Sequence, residues 1–413
     1  MSDRLLNDYR VLDLTDQKGL VCGLVLADMG ADVIKIERPG GDSARAVPPF
    51  YHDAPDPEKS LYWFAFNTNK KGITLNLESK KGQDLFKKLV KNTDFVLESY
   101  TPGYLDSLGL GYAALSKINQ KVILTSISHF GQKGPYSRFK GSELIDAAMS
   151  GVLDNTGQPE LAPVKEGLDA LYFHAGVAAA MGSLMALYAR NNIQGGQHID
   201  VSIQEVGVSR TTLTLLPWMW DKRLLKRTGN LGQTGVYPFP WIWPCRDGFV
   251  FWFFLGGPIG ATGNKALSLW MAEEGLRHAL SDIKEWKELD KAALTPAVLD
   301  SFRDAIAAFF MRHTKKEVEA EGLRRGANIV IASDPADVME NKHYSSRNYW
   351  KEIDHPELGA SITYPRHCFL SNKTENYASV KAPGIGQDNA DIFSRELGLS
   401  QNEIAVLKEE KII

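Results

Sequence analysis

The sequence contains few cysteines and no cluster of metal-ligating residues. Its 413 residues include only three cysteines, Cys22, Cys245 and Cys368, which lie far apart along the chain. They form no CxxC motif and no Cys/His cluster, so the sequence predicts neither a disulfide framework nor a zinc site. We expect buried thiols and no bound metal.

The chain also lacks a long uninterrupted hydrophobic run. The most apolar stretch, residues 241–261, is interrupted by two prolines and by Arg246 and Asp247. A membrane-spanning helix needs about 20 predominantly apolar residues, so no membrane span is predicted. The first ten residues, MSDRLLNDYR, carry charges throughout and show no apolar core of a signal peptide. We therefore expect a cytoplasmic protein.

An excess of charge of one sign is absent as well. The 47 basic and 50 acidic residues give a formal net charge of −3. A nucleic-acid partner is not predicted, because such proteins carry a basic surface. The 44% apolar and 23% charged residues are typical of a globular chain and exclude a disordered one.

Glycine-rich nucleotide motifs are missing from the position where they would be diagnostic. Between Leu14 and Leu26 the only glycines are Gly19 and Gly23. There is no GxGxxG or GxxxxGK[ST] motif at this turn, so neither a dinucleotide nor a P-loop site is predicted.

What the sequence does contain is a regular alternation of buried strands and amphipathic helices. Strands are predicted at residues 10–14, 32–36, 73–77, 94–98, 122–127 and 198–202, and helices at 19–29, 81–91, 112–118 and 168–190. This alternation is typical of an α/β fold with an open, Rossmann-like parallel sheet. We predict a large domain formed by residues 1–225 and 331–413, and a smaller α+β domain between them at 226–330. Within the smaller domain, helices are predicted at 267–280 and 299–322.

Basic side chains follow the predicted strands at positions where a parallel sheet binds ligands. Arg38 and Arg45 follow the second strand, and Lys70 and Lys71 precede the third. A further loop, SHFGQKGP, places Lys133 between two glycines. Charge-assisted bonds to phosphates and solvated surface loops are both compatible with these residues.

No acid or base is selected by spacing alone. The histidines nearest to these loops are His129 and His174, and neither belongs to a recognisable triad. The acidic candidates are Glu37, Asp42, Glu98, Glu143 and Asp169.

Several ordered segments resemble the class III CoA-transferase family. They are VLDLT, LADMGADVIKIERPGGDSAR, SLYWFAFNTNKKGITLNL, GYLDSLGLGY, HFGQKGPY, GGQHIDVSIQE, HPELG and APGIGQDN. They extend over nearly the whole chain. The resemblance implies a Rossmann-like large domain, a small domain, and a dimer of chains interlocked like links.

The resemblance also implies where CoA, a substrate rather than a permanently bound cofactor, is held. Arg38 matches a family arginine that contacts the CoA nucleotide, and Ser99 and Tyr100 match the loop lining the adenosine. With the basic residues above, we predict a CoA site formed by Arg38, Arg45, Lys71, Ser99, Tyr100 and Lys133. Residues 255–260, LGGPIG, correspond loosely to the family's glycine-rich lid.

The reaction centre departs from the family pattern. Family members transfer CoA between carboxylic acids through an aspartate that forms an anhydride with the acyl group. In an ungapped alignment this aspartate falls on Tyr172, and the nearest carboxylate is Asp169. The family's Ala-Gly-Pro loop is replaced by Lys18-Gly19-Leu20. We hypothesise a non-catalytic or altered subunit that pairs with an active homologous chain.

Two alternatives stay open at this point. The chain is an active transferase with Asp169 as the nucleophile, or it binds CoA esters without turnover. A racemase is less favoured, because no His and Asp acid-base pair stands at the family's positions.

The substrate acids are suggested only by an aromatic cluster. It consists of Trp218, Trp220, Tyr237, Phe239, Trp241, Trp243 and Trp252. These residues form either an apolar acyl pocket or the core of the small domain. The first interpretation favours an aryl-substituted acid with succinate as the exchange partner, by analogy with family members such as benzylsuccinate CoA-transferase.

Overall fold

The core of the molecule is a six-stranded, fully parallel sheet. A computed structural model describes residues 4–232, 238–366, 370 and 379–413. The strands are β1 (Arg10–Leu14), β2 (Asp32–Glu37), β3 (Lys71–Thr74), β4 (Phe95–Glu98), β5 (Ile123–Ser128) and β6 (His198–Ser202). Their order, β3-β2-β1-β4-β5-β6, is that of a Rossmann-like sheet, which confirms the predicted fold class.

Helices and short turns connect the strands and cover the faces of this sheet. They are α1 (Leu20–Asp28), α2 (Leu61–Phe66), α3 (Lys80–Val90), α4 (Tyr104–Ser107), α5 (Tyr112–Ile118), α6 (Glu143–Met149), α7 (Ala170–Ile193), α8 (Ile203–Arg210) and α9 (Thr212–Asp221). Strands β1 to β5 are buried almost throughout because both faces of the sheet are covered, whereas β6, at the edge, is exposed at His198 and Asp200. β3 lies earlier than predicted, because the chain beyond Leu75 turns away and Asn76 donates its N–H to the carbonyl of Ile412.

Close packing of α1 against α7 explains the small residues of α7. A Cβ atom at Gly176 would lie 2.6 Å from Cβ of Val21 and 3.0 Å from the backbone nitrogen of Cys22. Glycine therefore allows the two helices to approach. α7 is also the one helix in the described part of the chain that is long and apolar enough to cross a membrane, by length and composition only. Its buried face packs against α1 and β5.

The C-terminal part of the chain returns to the sheet. β10 (Trp350–His355) and β11 (Ala360–Pro365) form an antiparallel hairpin, and α15 (Asn389–Asp391) and α16 (Gln401–Glu409) follow. The amide side chain of Asn389 accepts from the N–H of Thr74 at 2.8 Å and donates to its Oγ1 at 2.8 Å. The tail thereby binds the carboxyl end of β3.

A second compact unit comprises residues 156–163 and 226–347. It contains the antiparallel strands β7 (Ile242–Cys245), β8 (Gly248–Phe251) and β9 (Val330–Ile331), and the helices α10 (Gly257–Glu273), α11 (Pro296–Phe310), α12 (Lys315–Arg325), α13 (Pro335–Glu340) and α14 (Lys342–Ser346). The unit continues past the predicted boundary at residue 330. The reason is that β9 pairs with β8 and Lys315 binds Asp334 at 2.9 Å.

Both helix predictions in this unit need correction. The helix expected at 267–280 is α10, which begins at Gly257 with Pro258 in its first turn and ends before Gly275, where φ is +78°. Residues 257–260 of the expected lid are therefore helical. The helix expected at 299–322 is two helices, since Thr314 and Glu317 form a capping box that starts α12.

Three of the seven residues of the aromatic cluster lie in the core of this second unit. Phe239, Trp243 and Trp252 are at most 2% exposed and pack together. Trp241 is partly exposed, and Tyr237 lies outside the described residues. The core interpretation holds for the three buried rings. Cys22 and Cys245 are buried free thiols, and Cys368 lies outside the described residues.

Candidate functional site

A cavity of about 540 Å³ lies at the carboxyl ends of the first four parallel strands. The strand order reverses between β1 and β4, and open α/β sheets bind ligands at such a point. The cavity is lined by the segments at the carboxyl ends of β1, β2, β3 and β4, and by Lys411. The polar and aromatic lining residues include Asp16, Arg38, Asp42, Asn76, Ser99 and Tyr100. A cavity therefore lies beside Arg38, Ser99 and Tyr100, three of the residues predicted to bind CoA.

The first loop contributes a charged pair to this cavity. Asp16 binds the ammonium group of Lys18, and its Oδ1 accepts from Ser99 Oγ at 2.8 Å. Ser99 Oγ in turn accepts from the Asp16 backbone N–H at 2.8 Å. Burial opposes ionisation of Asp16, but Lys18 and these hydrogen bonds lower its pKa below the ordinary value. The loop is thus held in one conformation and remains charged.

A buried network of ion pairs lies next to the first loop. Lys70 Nζ lies 2.9 Å from Asp13 Oδ2, and both side chains are fully buried. Lys35, also fully buried, lies 3.0 Å from Asp42 and donates to the carbonyl of Thr15. Burial opposes ionisation of Asp13, yet the two ammonium groups hold its pKa below the ordinary value. The sequence suggested Lys70 as a phosphate ligand, but its ammonium group binds Asp13, Asn67 and the carbonyl of Leu20.

The two arginines after β2 have different environments. Arg38 is exposed at the cavity and, among the described residues, donates a single long bond, 3.3 Å, to the carbonyl of Gly41. Arg45 is 1% exposed, binds both oxygens of Glu37 at 2.6 and 2.8 Å, and stacks on Trp63 at 3.8 Å. The Arg45 guanidinium is thus buried and bound to protein groups, and its contact with CoA stays a prediction.

The two predicted lysines also differ. Lys71 lies at the amino end of β3 and its Nζ binds Asp32 at 2.7 Å. That is the end of the sheet opposite the cavity, and the assignment of Lys71 to the CoA site stays a prediction. Lys133 is exposed in the loop after β5. Its role in CoA binding stays a prediction.

Tyr172 and Asp169 lie at the start of α7. Asp169 is the N-cap residue; its side chain is 31% exposed and its Oδ1 lies 3.4 Å from Lys165 Nζ. Tyr172 is 9% exposed in the first turn of the helix. Burial raises the pKa of Tyr172, with further contributions from the carboxylates of Asp146, Asp16 and Asp169. The phenol is therefore neutral and lies beside the charged first loop.

A histidine–aspartate pair lies next to Tyr172. His129 Nδ1 is 2.7 Å from Asp146 Oδ2, and the rings of His129 and Tyr172 have centroids 6.2 Å apart. Asp146 is fully buried in α6, and burial raises its pKa despite the bond to His129. His129 is a candidate from the sequence, whereas Asp146 is not, because a spacing of 17 residues between the two carries no local signal.

Glu98 is the second functional candidate with an altered environment. It ends β4, is 5% exposed, and accepts from the Tyr100 N–H at 2.7 Å. Burial raises the pKa of Glu98 to about 7, against the opposing hydrogen bond from Ser126. Ser126 is in turn 2.9 Å from His198 Nε2, beside a smaller cavity of about 260 Å³.

The other candidates from the sequence have structural roles. Glu37 binds Arg45, Asp42 binds Lys35, and Glu143 accepts from the N–H of Leu171 at 3.3 Å. His174 bonds to the carbonyl of Ala170 on its own helix. Among the described residues, no group of three or more His, Cys, Asp or Glu side chains could hold a metal ion.

Comparisons with known proteins agree with the geometry. The description "CoA-transferase family III" matches residues 6–389. The chain is 30% identical over 392 residues, 93% of its length and 92% of the relative's, to "Succinyl-CoA:(R)-benzylsuccinate CoA-transferase subunit BbsE" of Thauera aromatica. It is 31% identical over 413 residues, 99% and 98% of the two lengths, to "Succinyl-CoA--D-citramalate CoA-transferase" of Chloroflexus aurantiacus.

A solved structure supports the fold. A CAIB/BAIF family protein from Brucella suis superposes with a TM-score of 0.79 at 24% identity, covering 94% of this chain and 98% of the other.

Proposed function

This chain belongs to CoA-transferase family III, and from that premise we propose that it is a non-catalytic or altered subunit of an enzyme that moves CoA between carboxylic acids. In the proposal a homologous partner chain supplies the acyl-accepting aspartate. CoA and acyl-CoA are substrates, no cofactor is bound permanently, and the setting is cytoplasmic.

The environment of Tyr172 is the observation that carries this proposal. The family's nucleophilic aspartate aligns with a buried phenol whose pKa is raised, first by burial and then by three nearby carboxylates. A phenol does not form the mixed anhydride that the reaction requires, because only a carboxylate yields an anhydride. The first loop, with Lys18 bound to Asp16, differs from the family pattern at the same place.

The competing proposal assigns the nucleophile to Asp169. In its favour, the Asp169 carboxylate is close enough to Tyr62 and Tyr172 to raise the pKa of both, after burial. Against it, Asp169 lies one helical turn earlier and is paired with Lys165. One turn of three residues corresponds to a displacement of about 4.5 Å along the axis, and a misplacement of about 1 Å can cost roughly 100-fold in rate.

Exposed apolar faces support an interlocked assembly with a homologous chain. On α7 the exposed apolar residues are Val177, Met181, Met185 and Tyr188, and on α9 they are Leu213, Leu216, Trp218, Met219 and Trp220. Apolar patches of this kind mark interaction surfaces. One relative is named as a subunit, which agrees with a heteromeric assembly.

The cavity supports CoA as the shared ligand. We assign the CoA nucleotide to Arg38, Ser99 and Tyr100, with Lys133 as a further phosphate contact. Both named relatives use succinyl-CoA, and we extend succinate to this chain as one exchange partner. An aryl-substituted or dicarboxylic acid is the proposed second acid.

Chemical trapping tests the proposal. The purified chain is mixed with succinyl-CoA and then treated with hydroxylamine, which converts an acyl anhydride or enzyme thioester into a hydroxamate identified by peptide mass. We expect no modified residue in the lone chain. In a complex with a homologous chain, we expect modification of the partner's aspartate only.

Two variants separate the competing proposals. Modification of Asp169 in the lone chain, lost in Asp169→Asn and retained in Tyr172→Phe, would establish the alternative and overturn the silent-subunit proposal. The third outcome is a chain that binds free CoA but neither co-purifies with a homologous chain nor increases CoA transfer by one. This outcome would support the CoA-ester-binding protein considered above.

A further inference from the structure

The His129–Asp146 pair has no part in the CoA transfer proposed above. Asp146 Oδ2 and His129 Nδ1 share a hydrogen bond of 2.7 Å, and the Asp146 side chain is fully buried. The other oxygen, Asp146 Oδ1, is buried without a hydrogen-bond partner among the described residues. A buried carboxylate beside an imidazole fixes the ring orientation, and a ring that donates through Nδ1 presents the Nε2 lone pair as a base.

The backbone also constrains this imidazole. A Cβ atom at Gly141 would lie 2.3 Å from Cγ and 2.7 Å from Nδ1 of His129. Glycine therefore lets the chain before α6 pack directly against the ring. The His129 side chain keeps 18% exposure, so the ring is held by packing and still reaches solvent.

The pair lies beside Tyr172 and near the first loop, which contributes Asp16 to the cavity. The His129 ring is 6.2 Å from that of Tyr172, and Asp16, which lines the cavity, is among the carboxylates that influence Tyr172. The Lys18 ammonium binds Asp16 and also acts electrostatically on Asp146. The base and the Lys18 cation thus lie near the first loop, whose Asp16 lines the cavity.

We propose that this chain hydrolyses CoA thioesters, with His129 as the general base and Asp146 as its positioning residue. His129 Nε2 takes a proton from water, whose oxygen bonds to the thioester carbonyl carbon. The C–S bond then breaks, the acyl group leaves as a carboxylic acid, and CoA leaves as a thiolate that receives a proton from the imidazolium or solvent. The reaction needs water alone as co-reactant and does not depend on the proposed transferase role.

Thiol release from benzoyl-CoA without any acceptor acid tests this activity. We expect the full-length chain to release CoA continuously, and His129→Gln to lower kcat by at least about 100-fold, the usual contribution of a general base. Gly141→Ala should lower kcat similarly by displacing the ring. Gly195→Ala is the matched control, because the nearest atoms to its added Cβ are 3.9 Å away. Binding of free CoA, measured by titration calorimetry, should be unchanged in all three.

Further variants keep the proposal open to refutation. Exogenous imidazole should restore part of the activity of His129→Ala, which a purely structural role would not allow, and Asp169→Asn should retain hydrolysis. Wild-type release no faster than that of His129→Gln would overturn the proposal. Loss of hydrolysis in Asp169→Asn with retention in His129→Gln would also overturn it, and would instead support acyl transfer to Asp169.

Discussion

Arg38 and Arg45 show how the position of a charge, rather than its type, decides its role. Both follow β2, but Arg45 points into the interior, where Glu37 and the carbonyl of Pro383 accept its hydrogen bonds. Arg38 lies at the cavity and keeps most of its donors available. We therefore propose a ligand-binding role for Arg38 and expect Arg45 to contribute to stability.

Substitution of each arginine by alanine should separate these roles. Arg45→Ala leaves the Glu37 carboxylate, 1% exposed, without its partner, and should lower the free energy of unfolding by about 3–5 kcal/mol. Arg38→Ala should leave stability within about 0.5 kcal/mol and weaken CoA binding by about 10-fold or more, as loss of a charge-assisted bond does. Urea unfolding and calorimetric CoA titration measure the two effects. Equal destabilisation by both substitutions would refute the distinction.

The register of α7 can be tested by restoring a carboxylate. Tyr172→Asp places the group that the family uses at the aligned position, so we expect a hydroxylamine-sensitive acyl adduct on residue 172 with succinyl-CoA. Tyr172→Asn, of similar shape and uncharged, serves as the control and should give none. Peptide mass spectrometry reads the result. An adduct on Asp169 in the Tyr172→Asp chain, with none on residue 172, would show that the alignment places the wrong residue in the reaction centre.

Glu98 predicts a pH dependence of stability. Burial raises its pKa from 4.5 to about 7, so between these values the folded state binds a proton that the unfolded state has lost. Stability should therefore fall as pH rises from about 4.5 to 7 and level off above it, by an amount on the order of 3 kcal/mol.

Glu98→Gln should remove this component. The variant and wild type should have similar unfolding free energies at pH 5, and the variant should be the more stable at pH 8, because an amide is not ionised. Urea unfolding across this range gives both curves. A parallel pair of curves would contradict the assignment to Glu98.

At the scale of elements, the contact between α1 and α7 sets how closely the helices approach. Gly176→Ala places a methyl group 2.6 Å from Val21 and 3.0 Å from the Cys22 backbone nitrogen, which cannot move aside, so the unfolding free energy should fall by about 1–3 kcal/mol. Gly182→Ala meets only a side-chain methyl of Ile199, at 3.0 Å, and gains helix propensity. It should be close to neutral. Similar losses in the two variants would contradict the backbone contact as the cause.

Element types were predictable where hydrophobic pattern and packing agree. Strands β1, β2, β4 and β5 are nearly continuous buried runs, and that pattern is local. The hydrophobic pattern did not predict the start of α10, because its first turn contains Gly257, Pro258 and Gly260, which correspond to part of the expected glycine-rich lid. It also failed at Thr314, where a capping box divides an apparently continuous helix.

The site was less predictable, because its contacts join distant parts of the chain. The acceptor for Arg45 at Pro383 and the pairing of His129 with Asp146 both depend on the tertiary fold. The location of the cavity was predictable, since the carboxyl ends of parallel strands meet at one edge. The sequence did not predict which cations face the cavity, because the side-chain positions of Arg38, Arg45 and Lys71 depend on tertiary contacts.

At the scale of the whole molecule, the chain leaves large apolar surface on its first unit. Met181, Met185 and Tyr188 on α7 are 59%, 65% and 83% exposed, and Trp220 on α9 is 91% exposed. Exposure of this extent is unfavourable in water, so burial of these residues against another chain would stabilise the molecule. This reasoning connects the proposed silent subunit to an obligate assembly, in which a chain without the aspartate is still needed to complete the structure.

Charge substitutions on α7 test the proposed assembly. In a double variant, Met181→Lys and Met185→Lys, two charges would have to be buried on association, which costs several kcal/mol. We expect the variant to elute as a monomer, or to lose co-purification with a homologous chain, by light scattering coupled to size-exclusion chromatography. Leu323→Lys on α12, where an isolated leucine is 82% exposed, is the control and should leave the assembly unchanged. Assembly retained in the double variant at the wild-type dissociation constant would place the interface elsewhere on the molecule.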